Sequence, residues 1–335
     1  MVKTEKRILT GIRPTGNLHL GHFVGSIKNC LSLQEEGNDL FYMIADVQAL
    51  TDNADNPEKI RASVEELVID ILSAGLDPKK TTIFIQSKIP EIAELTVFFL
   101  NLVTISRLKR NPTTKDEIKQ KGYGDNIPAG FLMYPVSQAA DILFTNANVI
   151  PVGNDQLPMI EQTNEIVDTF NRYYGETFNR VKALEGEYGR LPGIDGKSKM
   201  SKSLGNAIFM CDDEKTIEKK VMQMYTDPNH IHVEDPGQVE GNMVFTYLDV
   251  FDENKEEVKN LKMQYKKGGL GDVLIKKRLI NVLNNFLTPF REKRKFYEEN
   301  RELVKQIIEE GTEKIKIIAK NNMVEIRSKM KIDYF

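Results

Sequence analysis

The sequence predicts an α/β fold: a parallel sheet covered by helices, followed by an all-helical C-terminal domain. Three observations carry this. Short apolar runs of strand character alternate with longer runs of helical periodicity through the first half. Glycine, proline and asparagine stand at the junctions between them. Strand signals disappear from about Thr216 onward, and residues 254–335 are mostly helical in pattern.

The elements follow in order. Residues 7–12 (RILTGI) form a short apolar run that ends in the turn-forming Arg13-Pro-Thr15-Gly16. Phe23, Ile27 and Leu31 then recur at helical spacing, up to Gly37 as a helix-closing residue. Residues 40–45 (LFYMIA) read as a buried strand ending at Asp46. Asn56-Pro57 supplies an N-cap with proline at the first helical position, and Ile60, Val64, Leu67, Val68 and Ile71 give the stripe behind it, closed by Gly75. Residues 81–86 (TTIFIQ) are a further strand and 90–103 a further helix. The polar, glycine-bearing stretch 112–128 reads as a mobile loop. A strand over 149–152 precedes a helix over about 155–174, and Gly268-Gly-Leu-Gly271 breaks the C-terminal helices. The domains expected are therefore 1–206, built on the sheet, and the helical 207–335.

At 335 residues, 40% hydrophobic and 28% charged, the chain has ample material for a core. No window approaches the roughly 18 uninterrupted apolar residues of a membrane span. Residues 1–6 (MVKTEK) are mostly polar and lead straight into the first strand, so no membrane and a cytoplasmic location are expected. Cys30 and Cys211 stand far apart, which indicates neither a disulfide framework nor a zinc knuckle. Residues 254–335 carry 20 Lys and Arg against 12 Asp and Glu, a net +8, whereas the whole chain is −3. A basic tail beside an acidic body fits a polyanion partner, and equally the solvated faces of charged helices.

Two clusters carry chemistry. The first is Arg13-Pro-Thr15-Gly-Asn-Leu-His19-Leu-Gly21-His22, between the first strand and the following helix. A helix N-terminus offers unpaired N–H groups, Gly21 lets a nucleotide approach the backbone, and two imidazoles stand ready to donate to phosphate. An i, i+3 histidine pair also suits a helix cap or a metal. Only His230 and His232 stand elsewhere. The second cluster is Lys197-Ser-Lys199-Met200-Ser201-Lys202-Ser203-Leu-Gly205-Asn206. Interleaved lysines and serines suit a loop folding over polyphosphate, or a solvated linker.

In order and separation, His19-Leu-Gly-His22 and Lys199-Met-Ser-Lys-Ser203 resemble the paired signatures of class I aminoacyl-tRNA synthetases. The resemblance spans essentially the whole chain and points to the tryptophan- and tyrosine-specific branch. Tyr134-Pro-Val-Ser-Gln138-Ala-Ala-Asp141 resembles that branch's amino-acid pocket, and Gly153-Asn-Asp155-Gln156 its Gly-x-Asp-Gln element. Ala139-Ala-Asp141-Ile-Leu143 and Ile44-Ala-Asp46-Val-Gln48-Ala look more like the tryptophan enzymes. Gln138 stands where those enzymes carry an apolar residue, often methionine, and Gln48 where they carry histidine.

The resemblance implies a Rossmann-like nucleotide-binding domain and an activity with ATP, Mg2+ brought by ATP, L-tryptophan and tRNA. It implies a homodimer, with residues 207–335 reading the anticodon arm. By it, Asp141 accepts the indole N–H, Tyr134 and Gln156 orient the α-amino group, and Leu9, Gln48 and Gln138 complete the pocket. Indole is a donor only, so an acceptor is the group required. Arg13, Thr15, Gly21, His22, Gly153, Asp155, Lys199, Met200, Ser201 and Lys202 would hold ATP. His19, His22, Lys199 and Lys202 would stabilise charge developing on its phosphates. Tyrosine as substrate, a small adenylyltransferase, and a catalytically silent RNA-binding paralogue are the alternatives.

Overall fold

The computed structural model describes residues 6–185, 191–202 and 204–334. In chain order the elements begin with β1 (Arg7–Ile12), α1 (Leu20–His22), a π-helical turn (Phe23–Ile27), α2 (Lys28–Glu35), β2 (Asp39–Ile44) and α3 (Asp46–Asn53). Next come α4 (Pro57–Ser73), β3 (Thr81–Ile85), a 3-10 turn (Gln86–Lys88), α5 (Pro90–Leu100), α6 (Ile105–Arg110) and α7 (Pro112–Lys121). Then follow α8 (Ala129–Leu143), β4 (Val149–Val152), a second 3-10 turn (Asn154–Gln156), α9 (Leu157–Tyr174) and β5 (Lys182–Glu185). The remainder is helical: α10 (Glu214–Met222), α11 (Met243–Phe251), α12 (Lys255–Lys267), α13 (Asp272–Glu299) and α14 (Arg301–Lys329).

Contacts divide the described residues into two compact units that interleave in sequence. The first holds 6–16, 28–185 and 300–334, and the second holds 17–27, 191–202 and 204–299. The single boundary expected after residue 206 is therefore not where contacts separate. The last helix belongs with the sheet, which no periodicity in its sequence announces.

The first unit is built on a five-stranded parallel sheet in the order β3-β2-β1-β4-β5. Leu9 pairs with Phe41 and Leu40 with Thr81, so the central strands bury nearly every residue. That is the pattern of a parallel sheet covered on both faces. Leu9, Phe41, Phe84, Val136, Phe144 and Phe170 lie in one core cluster. The strand order reverses between β1 and β4, and sheets of this kind take ligands beyond the carboxyl ends of their strands at such a point.

The edge strand β3 is covered by α14. A Cβ on Gly311 would fall 2.0 Å from the Ile83 carbonyl oxygen, so glycine is what allows this helix to lie against the strand. The Ile85 N–H donates to Thr312 Oγ1 at 3.3 Å, and Lys314 Nζ to Thr82 Oγ1 at 2.9 Å. The edge is thereby denied to other strands.

Stretch 112–128, expected as a mobile loop, contains α7. Asn111 Oδ1 accepts the N–H groups of Thr113 (3.1 Å) and Thr114 (3.4 Å), Pro112 takes the first helical position, and Gly122 closes the helix at φ 66°. Asn56-Pro57 starts α4 in the same way, with Asn56 accepting from the Lys59 N–H.

In the second unit α13 packs against α10 and α11, and Ile217, Val221, Val244, Phe245, Leu279 and Leu283 are buried. The glycine-bearing break falls between α12 and α13, as its sequence predicts. No helix among the described residues is long and apolar enough to cross a membrane.

Candidate functional site

In the second unit the two histidines form a reciprocal cap at the start of α1. The His22 N–H donates to His19 Nδ1 at 3.2 Å, and the His19 N–H donates to His22 Nδ1 at 3.3 Å. The rings stack with centroids 3.6 Å apart and 17° between planes. A backbone N–H is always a donor, so both Nδ1 atoms are acceptors and each ring carries its proton on Nε2. Burial, followed by the charge of Lys202, lowers the His19 pKa to about 4. Burial, then His19 and Lys202, holds His22 well below the usual imidazole value. Two neutral rings therefore offer Nε2–H donors at neutral pH.

The lysine–serine segment folds beside this helix start. The Gly21 N–H points at Met200 Sδ, 3.3 Å away, and a Cβ on Gly21 would meet the His19 ring at 3.0 Å and Met200 Cβ at 3.4 Å. Asn206, which is buried, holds the segment together. Its Nδ2 donates to Asp195 Oδ1 (3.1 Å), Ser198 Oγ (3.1 Å) and the Lys199 carbonyl (3.3 Å), and its Oδ1 accepts from the Ser201 N–H (2.8 Å). The Leu20 N–H donates to the Ile208 carbonyl at 3.0 Å, tying the chain after the segment to the histidine turn. Lys199 is exposed. Ser203, the last residue of the motif, lies outside the described residues.

In the first unit Asp141 lies buried on α8. Gln86 Nε2 donates to its Oδ1 at 2.7 Å and Gln48 Nε2 to its Oδ2 at 3.1 Å. Burial pushes the Asp141 carboxyl up to about 7, against the lowering effect of these two amides, and the nearby Asp46 adds to the rise. Leu9 lies buried in β1. Gln138 Nε2 comes within 3.5 Å of Gln156 Oε1, and Gln156 Nε2 donates to Asp155 Oδ2 at 2.9 Å. The Tyr134 hydroxyl donates to Glu117 Oε2 on α7 at 2.8 Å, and burial followed by that carboxylate raises its pKa.

Arg13, just past β1, pairs with Asp52 Oδ2 at 2.8 Å, and Lys121 of α7 pairs with Asp52 Oδ1 at 2.6 Å. Thr15 follows in a tight turn, its N–H donating to the Arg13 carbonyl at 2.9 Å. Gly153 and Asp155 are exposed just past β4, and the Asp155 carbonyl accepts from Thr113 Oγ1 at 2.7 Å.

Of the expected residues, contacts join His19 to His22 and Gly21 to Met200 in one unit, and Gln48 to Asp141 and Gln138, Gln156 and Asp155 in the other. The Tyr134 hydroxyl is engaged by Glu117. Gln86, Glu117, Asp52 and the hub role of Asn206 are the features that sequence reasoning missed. Gln86 carried a signal, as a polar residue closing an apolar strand at its carboxyl end. Glu117 became legible only with the Asn111-Pro112 helix start. Among the described residues no three His, Cys, Asp or Glu side chains group so as to hold a metal ion.

Residues 2–288 match the family described as tRNA synthetases class I (W and Y). A tryptophan–tRNA ligase of Clostridium longisporum is 57% identical over 98% of this chain and 97% of its own. Another, from Streptococcus agalactiae, is 54% identical over 99% of each chain. Among solved structures, the tryptophanyl-tRNA synthetase of Campylobacter jejuni, complexed with ADP and tryptophan, superposes with a TM-score of 0.84. It is 32% identical, over 97% of this chain and 99% of that one.

Proposed function

Since the chain belongs to the class I tRNA synthetases of the W and Y family, we propose that it activates tryptophan with ATP and transfers it to tRNA. The observation that carries this reading is the buried acceptor Asp141, held on both oxygens by amides, in a chain 57% identical to a tryptophan–tRNA ligase along its length.

In the first step a carboxylate oxygen of tryptophan attacks the α-phosphorus of ATP, and the bond to the β-phosphate oxygen breaks to release pyrophosphate. In the second, a ribose hydroxyl of the terminal adenosine of tRNA attacks the adenylate carbonyl and AMP leaves. Neither step needs a protein nucleophile, so the protein contributes position and charge stabilisation. The Nε2–H groups of His19 and His22 donate to the ATP phosphates as charge develops on them. Lys199 and Lys202 neutralise the departing pyrophosphate. Met200, Ser201, Gly21, Arg13, Thr15, Gly153 and Asp155 hold the nucleotide. Binding of ATP then competes with Asp52 for Arg13.

Asp141 accepts the indole N–H, and Leu9, Gln48 and Gln138 complete the pocket. Tyr134 and Gln156 orient the α-amino group, with Glu117 beside Tyr134 adding a negative charge suited to an ammonium. Mg2+ would arrive with the nucleotide and would supply further charge neutralisation for its phosphates.

Helices α10 to α13 of the second unit are assigned to the anticodon arm, in a cytoplasmic homodimer, whereas α14 of the expected stretch 207–335 belongs with the sheet. Of the basic runs on α13, Arg278 is committed to Asp252 at 2.7 Å and Arg291 donates to the Asp212 carbonyl and Asn284. Lys277, Lys293 and Lys295 are exposed and carry the contacts to phosphate. Charging of tRNA with labelled tryptophan tests the reading. Wild type is expected to charge, and Asp141→Asn to lose most of its kcat/KM for tryptophan. Unimpaired charging by the variant would remove Asp141 from the pocket.

A further inference from the structure

The amide of Gln86 can be oriented from its surroundings alone. Its Oε1 accepts the backbone N–H of Gln48 at 3.1 Å, and that N–H can only donate. Its NH2 group therefore faces Asp141 Oδ1, 2.7 Å away, as a donor. The turn that carries Gln86 is itself held. Asp46 Oδ1 accepts the N–H of Ser87 at 2.9 Å and of Val47 at 3.0 Å, which ties the end of β3 to the start of α3. Gln48, on that same helix, closes the ring through its own bond to Asp141 Oδ2.

We propose that Gln86 is a positioning residue for tryptophan selection: its carboxamide, fixed by the Gln48 N–H, keeps Asp141 in the acceptor state that an indole N–H requires. This rests on the assignment of Asp141 to the indole. A neutral carboxylic acid would present a hydroxyl donor as well as an acceptor, and a donor facing indole N–H repels it. Burial favours that neutral form, and the Gln86 amide is the larger of the two hydrogen-bonding effects opposing it. Asp46 on α3 lies close enough to act on Asp141, and its like charge works against ionisation. The other helices packed on α8 carry Glu91 and Glu94 on α5, Arg107, Lys109 and Arg110 on α6, and Glu161, Glu165, Asp168 and Arg172 on α9, of which Arg107 is paired with Glu165 and Glu94 with Arg327.

The chain has no tryptophan, so binding of the substrate is read from indole fluorescence on a dark protein background. Dissociation constants are measured across about pH 5 to 9 for wild type, Gln86→Met, Gln86→Glu and Asp141→Asn. Gln86→Met keeps the volume and removes the donor. Gln86→Glu keeps the shape and the acceptor for the Gln48 N–H while placing an acid against Asp141.

Wild-type affinity is expected to fall as pH drops through about 7, where Asp141 takes up its proton. In both Gln86 variants that fall should move to higher pH by about one unit or more. This gives about tenfold weaker binding near neutrality, which shrinks toward pH 9, with kcat at saturating tryptophan little changed. An unmoved profile, or a loss of equal factor at every pH in folded protein, would overturn the role of Gln86. If Asp141→Asn binds tryptophan like wild type, the pocket assignment itself fails. If Asp141→Asn loses binding while the Gln86 variants titrate like wild type, only the role of Gln86 fails.

Discussion

The two histidines act as neutral donors because burial and Lys202 remove their charge before physiological pH is reached. At saturating tryptophan, kcat/KM for ATP should show no histidine limb between about pH 6 and 8, where an ordinary imidazole titrates. His19→Ala should lower pyrophosphate exchange by about 10²–10³, the usual cost of losing one transition-state donor. Asp141 has the opposite kind of shift. Its folded-state pKa of about 7 stands above the ordinary 3.8, so the folded protein holds a proton that the unfolded chain releases between those values. The contribution of Asp141 to stability is therefore full below about 3.8 and is lost as pH rises through about 7. Asp141→Asn should accordingly gain Tm relative to wild type more at pH 8 than at pH 5, by about 2–4 °C per kcal/mol recovered. Differential scanning calorimetry at the two pH values reads this directly.

At the level of elements, Asn206 sets the shape of the lysine–serine segment through four hydrogen bonds. Asn206→Ala should leave tryptophan binding unchanged and lower kcat/KM for ATP about tenfold or more, since breaking buried hydrogen bonds costs about 1–3 kcal/mol. Steady-state exchange kinetics with each substrate varied in turn separates the two. The sequence made the motif legible but not its hub, because a buried asparagine after a glycine has no periodic signature. Strands 7–12, 81–85 and 149–152 were legible because buried parallel strands are nearly continuous apolar runs. β5, with Lys182 and Glu185 at its ends, shows no such run and was missed. The residues of α7 read as a loop because their polar composition outweighs the Asn-Pro start and the glycine stop that define the helix.

For the whole molecule, the membership of α14 in the sheet unit depends on Gly311 and on long-range packing, which local patterns do not encode. The basic character of the tail was legible, whereas the separation of structural arginines from exposed lysines needed coordinates. Lys277→Glu combined with Lys293→Glu should lower kcat/KM for tRNA about tenfold or more and weaken its salt dependence. Tryptophan-dependent pyrophosphate exchange should be unaffected, because neither lysine is assigned to activation. Aminoacylation at two ionic strengths checks this. The most direct test of the central claim is ATP–pyrophosphate exchange with tryptophan, tyrosine and no amino acid in parallel. Exchange driven by tryptophan and little by tyrosine is the expected result. Exchange driven by tyrosine would contradict the pocket built on Asp141, and exchange with neither in a folded protein would contradict the activity itself.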